Sequence, residues 1–562
     1  MKKALLYLYF LLLPLGLQAL GDFPLVKTFI DKGEAELKKG NEIDLEKDFY
    51  AINTLKKQAP KNAALAKKAT EDSLTNTSLV RINFSNDKFG LAYDSLLKKY
   101  GFIDKNLQTK IGFKYDEATG FDYKGWAKVR RNSSYYLIDT TGTEYSLATE
   151  LNQLNSTITA LDLQNKNLRE IPKAIFGQTQ LKVLFLNNNQ ISKLEGLEKL
   201  TALRTLHISS NQISKLEGLE KLSALRTLDI SANQIRKLEG LDKLFALRTL
   251  IICNNQISKL EGLGKLSSLQ ILAIYNNQIS KLEGLDKLSA LQLLSIYDNQ
   301  IGKLEGLEKL YALRELSIAS NQISRLEGLG KLSALQILDI SNNKIRKLEG
   351  LEKLSALQIL NISSNQIHKL EGLEKLSTLQ ILNISSNQIR KLEGLEKLSP
   401  LQTLDISENQ ITKLEGLGKL SALRELSIAS NKISKLEGLE KLFALQTLNI
   451  KSNQIRKLEG LEKLSTLNEL DISDNKISKL EGLGKLSALQ ILNITTNQIR
   501  KLEGLEKLSA LQMLDITSNQ ISKFEGLEKL SALQILDISD NQISDEDIEK
   551  LIKVLPNCSV NY

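Results

Sequence analysis

The chain has 562 residues and a formal net charge of +9, from 75 lysine and arginine against 66 aspartate and glutamate side chains. This basic surplus is small for the length, and lysine alternates with glutamate through most of the chain, which argues against a nucleic-acid-binding protein with one concentrated basic face. The two cysteines and two histidines never lie at metal-ligand or Cys–His spacing, so composition offers neither a disulfide framework nor a zinc site.

Residues 1–21 have the composition of an export signal. Two lysines follow Met1, an apolar run covers residues 4–15, and Ala19 and Gly21 supply small residues for cleavage. The apolar run is too short to cross a bilayer comfortably. We therefore predict cleavage before Asp22 and an exported protein, with an uncleaved N-terminal anchor as the alternative.

Residues 22–78 are predicted to form a charged helical segment. Apolar residues such as Phe29, Leu37 and Phe49 recur there at loose helical spacing, and Pro60 suggests a break before a second helix. Aspartate and glutamate are numerous, but a solvated helix face explains them better than a catalytic site.

Residues 79–150 change to short strands and turns. Residues 100–104, 113–118 and 125–129 resemble the WG-type β-hairpin repeat of bacterial surface and exported proteins, and residues 135–142 look like the start of a second copy. The sequence departs from that pattern at Leu107, where glycine is usual, and at Gly112, where proline is usual. The resemblance implies a small β module whose role is interaction.

Residues 181–543 repeat one 22-residue unit, and a copy from Leu203 to Leu222 shows its design. Apolar residues two apart, Leu206 and Ile208, predict a short strand with one buried face. Apolar residues three apart, from Ile213 to Leu222, predict a 3₁₀ or extended return arm. One unit cannot bury its seven apolar side chains alone, so the pattern predicts a stacked solenoid.

An asparagine marks the corner between strand and return arm in every copy. Its carboxamide both donates and accepts hydrogen bonds, so stacked asparagines can satisfy the backbone groups of the bend. Gly218 and its equivalents suit a tight turn. The predicted ladder contains Asn189, Asn211, Asn233, Asn255, Asn277, Asn299, Asn321, Asn343, Asn365, Asn387, Asn409, Asn431, Asn453, Asn475, Asn497, Asn519 and Asn541.

These residues resemble leucine-rich repeats of the 22-residue class, as in the internalins and the leucine-rich regulatory subunit of protein phosphatase-1. The resemblance covers about two thirds of the chain. It implies an α/β repeat solenoid, curved into a horseshoe or arc. Its parallel sheet would be concave and its 3₁₀ or extended side convex, with a smaller α+β region at the N-terminus.

The predicted solenoid covers residues 151–544 in about 18 repeats and is closed at both ends. Its first copy, residues 158–176, is irregular and has Lys166 where asparagine is expected, as suits an end repeat. Residues 545–562 are predicted to form a C-terminal cap, a helix that Pro556 ends and a last short strand around Cys558.

The outward slots of the strands are where the copies differ, so they are the candidate binding surface. In the copy above these are Thr205, His207 and Ser209. Aromatic and large apolar residues concentrate in the first six regular repeats, and exposed aromatics often anchor protein recognition. The predicted partner-binding residues are Phe185, His207, Ile251, Tyr275 and Tyr297.

The sequence predicts an exported, non-catalytic protein that binds a protein or surface glycan through its concave face. Catalytic residues, metal and cofactor are each predicted as none, nucleic acid is not a predicted partner, and a monomer is expected. The resemblance to internalins suggests adhesion or host contact at the cell surface, in secreted form or in the periplasm. The alternatives are an intracellular phosphatase-regulatory scaffold and a structural spacer of the cell envelope. An arginine-rich edge at Arg204, Arg226 and Arg248 is interpreted as a solvated rim.

Overall fold

The structure is a computed structural model that describes residues 79–84, 89–122 and 124–562. The predicted export signal and the whole predicted helical segment, together residues 1–78, lie outside the described residues. The chain divides into two compact units, one ending at Glu144 and one running from Tyr145 to Tyr562. No helix in the described ranges has both the length and the apolar content needed to cross a membrane.

The N-terminal unit consists of short antiparallel strands around a small core. Its core packs aromatic and aliphatic residues, including Phe102, Tyr115, Phe121 and Ile138. Strands β1 to β4 pair in sequence, and β5, β6 and β7 pair likewise. The strands are β1 (Leu79–Asn83), β2 (Gly90–Asp94), β3 (Lys99–Ile103), β4 (Thr109–Tyr115), β5 (Glu117–Ala118), β6 (Trp126–Arg131) and β7 (Ser134–Asp139).

Three turns of this unit share one design. In each, an aspartate Oδ1 accepts hydrogen bonds from the backbone N–H groups two and four residues later, as in Asp104, Asp122 and Asp139. The third residue after each aspartate has a positive φ, 60° at Leu107, 81° at Gly125 and 80° at Gly142. The leucine that departs from the WG pattern therefore occupies a left-handed slot that the other two turns give to glycine.

The second unit is a solenoid whose strands pair in parallel from β8 to β27. From β10 to β25 each strand residue pairs with the residue 22 positions later, for example Leu206 with Leu228, and the residues of β26 pair with those 24 positions later in β27. The strands are β8 (Glu144–Ala148), β9 (Ala160–Asp162), β10 (Val183–Phe185), β11 (Thr205–His207), β12 (Thr227–Asp229), β13 (Thr249–Ile251), β14 (Ile271–Ala273), β15 (Leu293–Ser295), β16 (Glu315–Ser317), β17 (Ile337–Asp339), β18 (Ile359–Asn361), β19 (Ile381–Asn383), β20 (Thr403–Asp405), β21 (Glu425–Ser427), β22 (Thr447–Asn449), β23 (Glu469–Asp471), β24 (Ile491–Asn493), β25 (Met513–Asp515), β26 (Ile535–Asp537) and β27 (Ser559–Asn561).

Each return arm from Gly196 to Gly526 has a glycine with φ between 92° and 107°, and many of the arms contain a 3₁₀ turn. A Cβ on Gly218 would lie 2.6 Å from the carbonyl oxygen of Leu194 in the preceding repeat, so only glycine allows this close stacking. The 3₁₀ turns are Leu151–Gln153, Lys173–Ile175, Leu197–Lys199, Leu263–Lys265, Leu329–Lys331, Leu373–Lys375, Leu395–Lys397, Leu417–Lys419, Leu461–Lys463, Leu483–Lys485, Leu505–Lys507 and Leu527–Lys529.

One apolar column runs through the whole solenoid, from Ala148 to Leu555. In the repeat from Leu203 to Leu222 all seven apolar slots are at most 2% exposed. Burying one such side chain contributes roughly 1.5–3 kcal/mol, and neighbouring repeats supply the contacts. The predicted solenoid with a parallel sheet and 3₁₀ arms, beside a smaller antiparallel sheet, is confirmed.

The C-terminal end of the column is covered by helix α1 (Asp545–Val554). Ser544 caps its N-terminus, because the serine Oγ accepts a hydrogen bond from the backbone N–H of Asp547 at 3.2 Å. Leu551 is fully buried against the column. Strand β27 then pairs with β26 and occupies its open edge.

Candidate functional site: the strand face of the repeats

The asparagine of each repeat ties two consecutive turns of the solenoid together. In Asn211, Nδ2 donates to the carbonyl oxygens of Leu186 at 3.0 Å, Ile208 at 3.2 Å and Ser209 at 3.1 Å. Its Oδ1 accepts from the backbone N–H of Ile191 at 2.9 Å. The same arrangement continues to Asn541, and it holds each strand at a fixed position relative to the next.

The residue before each of these asparagines is left-handed, which the sequence reasoning missed. From Asn188 to Asp540 its φ lies between 50° and 54°. The slot is mostly serine, asparagine or aspartate, and the last two tolerate this conformation best. That composition is the signal that predicts the bend.

We define the strand face as the outward slots of β10 to β26, namely the first and third residue of each strand and the second residue after it. In β11 and its extension these are Thr205, His207 and Ser209, while Leu206 points into the core. Because neighbouring strands lie only ~4.8 Å apart, side chains in one slot form a column and cover one another. The exposure of each side chain on the strand face therefore depends on the equivalent residues of the adjacent repeats, 22 positions away in the sequence.

Two of the predicted partner-binding residues form the first aromatic stack on this face. The rings of Phe185 and His207 lie 4.7 Å apart between centroids, with an interplanar angle of 9°. Phe185 is 4% exposed and His207 is 3% exposed, because flanking strands cover them. The stack is thus mostly hidden in the isolated chain.

A second stack joins Tyr275 and Tyr297, with centroids 4.3 Å apart and an interplanar angle of 9°. Tyr297 is buried and Tyr275 half-buried. The hydroxyl of Tyr275 hydrogen-bonds the Cys253 thiol, whose pKa burial raises to about 11, so this thiol is poorly nucleophilic at neutral pH. Half-buried Ile251 lies on β13 between the two stacks. The five predicted residues therefore form two separate pairs and an intervening aliphatic side chain.

The remaining strand face combines carboxylates with half-exposed aliphatic side chains such as Ile271 and Ile535. Burial raises the pKa of Asp339 to about 6, although its Oδ1 accepts hydrogen bonds from the backbone N–H and hydroxyl of Ser341 at 3.1 and 2.7 Å. Burial also raises the pKa of Glu425. Among the described residues no three histidine, cysteine, aspartate or glutamate side chains come together as a metal site would require.

The family comparisons match both units of the chain. The model described as "WG containing repeat" matches residues 100–135. The model described as "Leucine Rich repeats (2 copies)" matches residues 179–221, 201–243, 246–287, 289–331, 312–353, 333–375, 355–397, 377–419, 401–441, 421–463, 443–483, 465–507 and 509–553. Both resemblances predicted from the sequence are confirmed.

Solved structures share the fold at low sequence identity. A leucine-rich repeat protein of Leptospira interrogans aligns with a TM-score of 0.58 and 24% identity, over 74% of this chain and 100% of that chain. The functional domain of InlJ from Listeria monocytogenes aligns with a TM-score of 0.54 and 24% identity, over 61% and 74%. The plant peptide hormone receptor RGFR1, in complex with RGF2, aligns with 0.55 and 22%, over 69% and 71%.

No curated protein sequence matches the chain significantly. The family-model matches nevertheless cover well over half of its length, and the repeat register, asparagine ladder and 3₁₀ arms lie in the same region. The chain belongs to the leucine-rich repeat family.

Proposed function

We propose that the protein is exported and non-catalytic, and that it binds a protein partner through its strand face in adhesion or host contact. The observation that carries this proposal is the distribution of sequence differences among the repeats. The buried slots and the return arm are nearly the same in every copy, whereas the strand-face slots vary from tyrosine and isoleucine to aspartate and serine. A rigid scaffold with one variable face suits recognition.

The structural likeness supports a binding role in general terms. The plant receptor of this fold is solved in complex with RGF2, and other solved neighbours come from Listeria monocytogenes. At under 25% identity these likenesses carry the fold, so the partner must be argued from the residues of this chain.

Photocrosslinking tests whether the strand face is the site. Ile271 lies on that face and is 38% exposed, whereas Phe443 lies outside it and is 59% exposed. Each is replaced in turn by benzoylphenylalanine in the full chain, and the protein is irradiated both on cells that produce it and on cells of a host to which the producing cells adhere. We expect a discrete protein adduct from position 271 and none from position 443. Adducts from 443 alone, from both positions equally, or from neither would refute the proposal.

Export is tested separately by sequencing the N-terminus of the mature protein and by protease shaving of intact cells. A mature start at Asp22 and release of solenoid fragments support export. An intact Met1 and full protection would instead favour an intracellular scaffold of the phosphatase-regulatory kind.

The low exposure of Phe185, His207 and Tyr297 favours one second candidate, a structural spacer of the envelope. A spacer uses only the length of the solenoid. Deleting three whole repeats, residues 345–410, keeps the 22-residue register and shortens the array. If this variant no longer forms the crosslinked adduct at position 271, the result supports a binding face that extends into the middle repeats. If the adduct is unchanged, the middle repeats contribute only to the length of the array.

A further inference from the structure

A column of cations runs along one border of the strand face at its N-terminal end. Lys182, Arg204, Arg226 and Arg248 occupy the slot before four consecutive strands. The backbone N–H of each arginine donates to the carbonyl oxygen of the cation before it at 2.8 Å, so the four residues are direct neighbours across the sheet. At ~4.8 Å per strand the column extends over about 14 Å. We call these four residues the basic edge.

The charges of the basic edge are not neutralised within the described residues. The three arginines are exposed, and none of the four cations takes part in an ion pair there. The lysines of the return arms differ, since Lys215 pairs with Glu217 at 3.3 Å and this pattern recurs along the solenoid. Most later repeats have glutamine in the slot of the basic edge, so the column is a local feature.

The rest of the strand face has the opposite charge. From β10 to β15 the strand-face slots contain one carboxylate, Asp229, whereas from β16 to β26 they contain eight carboxylates and one cation, Lys451. These eight carboxylates are Glu315, Asp339, Asp405, Glu425, Glu469, Asp471, Asp515 and Asp537. In the later repeats Arg314 and Arg424 occupy the slot of the basic edge singly, not in consecutive strands. An anionic ligand is therefore attracted to the N-terminal repeats and repelled from the others, which fixes both its place and its orientation.

A shallow cavity lies at one end of the basic edge, beside Arg226 and Arg248. It has a volume of about 390 Å³ and is lined by the side chains of Arg226, Arg248, Ala246 and Ala290, with serine and glutamine residues between them. Phe245, next to Ala246 in the chain, is 56% exposed. Ala246 and Ala290 offer apolar surface close to Arg226 and Arg248, which suits an apolar side chain flanked by acidic groups.

We propose that the basic edge binds an extended acidic segment of the partner protein, rich in aspartate and glutamate and carrying an apolar side chain for the cavity. This rests on the proposed function, because the basic edge borders the strand face. A guanidinium group binds a carboxylate through two parallel hydrogen bonds. Arginines on consecutive strands present several guanidinium groups in a line, each able to bind one carboxylate of an extended acidic segment. Single-stranded nucleic acid, which needs successive accessible rings for base stacking, is less suited, because Phe185 and His207 cover each other and leave Phe245 as the exposed ring beside the cavity.

The test measures binding of a fluorescein-labelled peptide to the full chain by fluorescence anisotropy. The peptide contains ten glutamates with one central leucine. The variant is R204Q/R226Q/R248Q, which introduces the glutamine that later repeats carry in this slot and so preserves the fold. The matched control is R346S/R390S/R500S, which removes three arginines that donate Nε to glutamine side chains at 3.0–3.1 Å in the corner slot. Serine fills that corner slot in other repeats.

We expect the glutamine variant to weaken peptide binding at least tenfold, the serine control to change it less than twofold, and binding by the natural chain to weaken as salt rises. Equal loss in both variants, or no loss in either, would overturn the inference. So would a sulfated oligosaccharide or a single-stranded oligonucleotide that binds the basic edge when the peptide does not. If position 271 forms its adduct in the otherwise natural chain but the glutamine variant binds the peptide as tightly as the natural chain, the inference fails alone. If position 271 forms no adduct in the otherwise natural chain, the proposed function fails.

Discussion

The ladder asparagine is the residue on which each bend of the solenoid depends. Asn343 Nδ2 donates to the carbonyl oxygens of Ile318, Ile340 and Ser341 at 3.0–3.2 Å, and its Oδ1 accepts from the backbone N–H of Ile323 at 2.9 Å. Asn343→Ala leaves these groups unpaired in a buried corner. At roughly 1–3 kcal/mol for each buried polar group, we expect the free energy of unfolding in urea to fall by at least about 3 kcal/mol.

The neighbouring residue gives a matched control for that substitution. Asn342 is exposed and left-handed, and serine occupies its slot in many repeats. Asn342→Ser removes one exposed hydrogen bond, from Asn342 Nδ2 to Ser320 Oγ at 2.9 Å, and should lower the free energy of unfolding by about 1 kcal/mol at most. Equal effects of the two substitutions would contradict the structural role of the ladder.

A buried carboxylate on the strand face makes stability depend on pH. The folded-state pKa of Asp339 is about 6, above its ordinary value of 3.8, because burial penalises the charged form. The folded chain therefore binds more protons between these values, and stability falls as pH rises through that window. Above it the carboxylate is charged in both states and the folded state keeps the penalty. Asp339→Asn should raise the free energy of unfolding by about 2–3 kcal/mol at pH 7.5 and leave it unchanged below pH 4.

Asparagine is already present in the equivalent slot of the next repeat. Asn361 Oδ1 accepts from the backbone N–H and the hydroxyl of Ser363 at 3.2 and 2.8 Å, as Asp339 does from Ser341. The substitution therefore preserves the local hydrogen bonds. The charge-matched control is Asp474→Asn, at an exposed position. If both variants gain the same stability at pH 7.5, charge removal in general, and not burial of Asp339, is responsible.

Residue identity alone predicted which side chains share the strand face but not how far each is exposed. Alternation along β10 and β11 places Phe185 and His207 on that face. Their low exposure depends on the side chains of the strands on either side, which are 22 residues away in the chain. The same reason explains why the burial of Asp339 was not predicted from its own repeat.

At the scale of elements, the return arm is constrained by how closely it stacks on the previous arm. Gly306 and Gly526 have nearly the same φ, 106° and 102°. A Cβ on Gly306 would lie 2.7 Å from the carbonyl oxygen of Leu282, whereas on Gly526 the corresponding oxygen of Leu502 is 3.9 Å away. Comparing alanine substitutions at the two positions therefore separates the cost of backbone strain from the cost of steric overlap.

Alanine substitution at these two glycines should give different losses of stability. Gly526→Ala incurs only the conformational strain, about 1–3 kcal/mol. Gly306→Ala adds overlap with a backbone atom that cannot rotate away, so we expect a further loss of at least about 1 kcal/mol. Circular dichroism during urea unfolding of both full-length variants measures the difference. Losses of the same size would mean that the arms are free to separate.

The strands and return arms could be predicted from the sequence because each is marked by a regular spacing of apolar residues within one copy. The apolar spacing of two within one copy, as in Leu206 and Ile208, correctly predicted the strand, and the fixed period predicted parallel stacking. The spacing of three predicted the return arm, which contains a 3₁₀ turn in copies such as the one with Leu263–Lys265 and other turns in the copy from Leu203 to Leu222. The left-handed residue at each bend is not marked by glycine, and so it was missed. In the N-terminal unit the structure shows why Leu107 departs from its pattern without changing the turn: its backbone still adopts the positive φ.

The solenoid as a whole is a linear array in which each repeat contacts only its neighbours. Damage at one end should therefore remain local, and the cap helix provides the test. Leu551 is fully buried on the end of the apolar column, whereas the next residue, Ile552, is 41% exposed. Leu551→Asp places a charge against that column and should detach α1, while Ile552→Asp leaves the cap in place.

Hydrogen exchange on the two full-length variants tests this expectation. In Leu551→Asp the amides of α1, β27 and β26 should exchange faster, because the cap no longer covers the column and the edge of β26 becomes open. Protection should return within a few repeats, so that β10 to β20 exchange as in the natural chain. In Ile552→Asp exchange should be unchanged throughout. Faster exchange spread evenly from β10 to β26 would contradict the linear array, because it would mean that the repeats unfold as one unit. The asparagine ladder and the apolar column would then transmit a local defect along the entire solenoid.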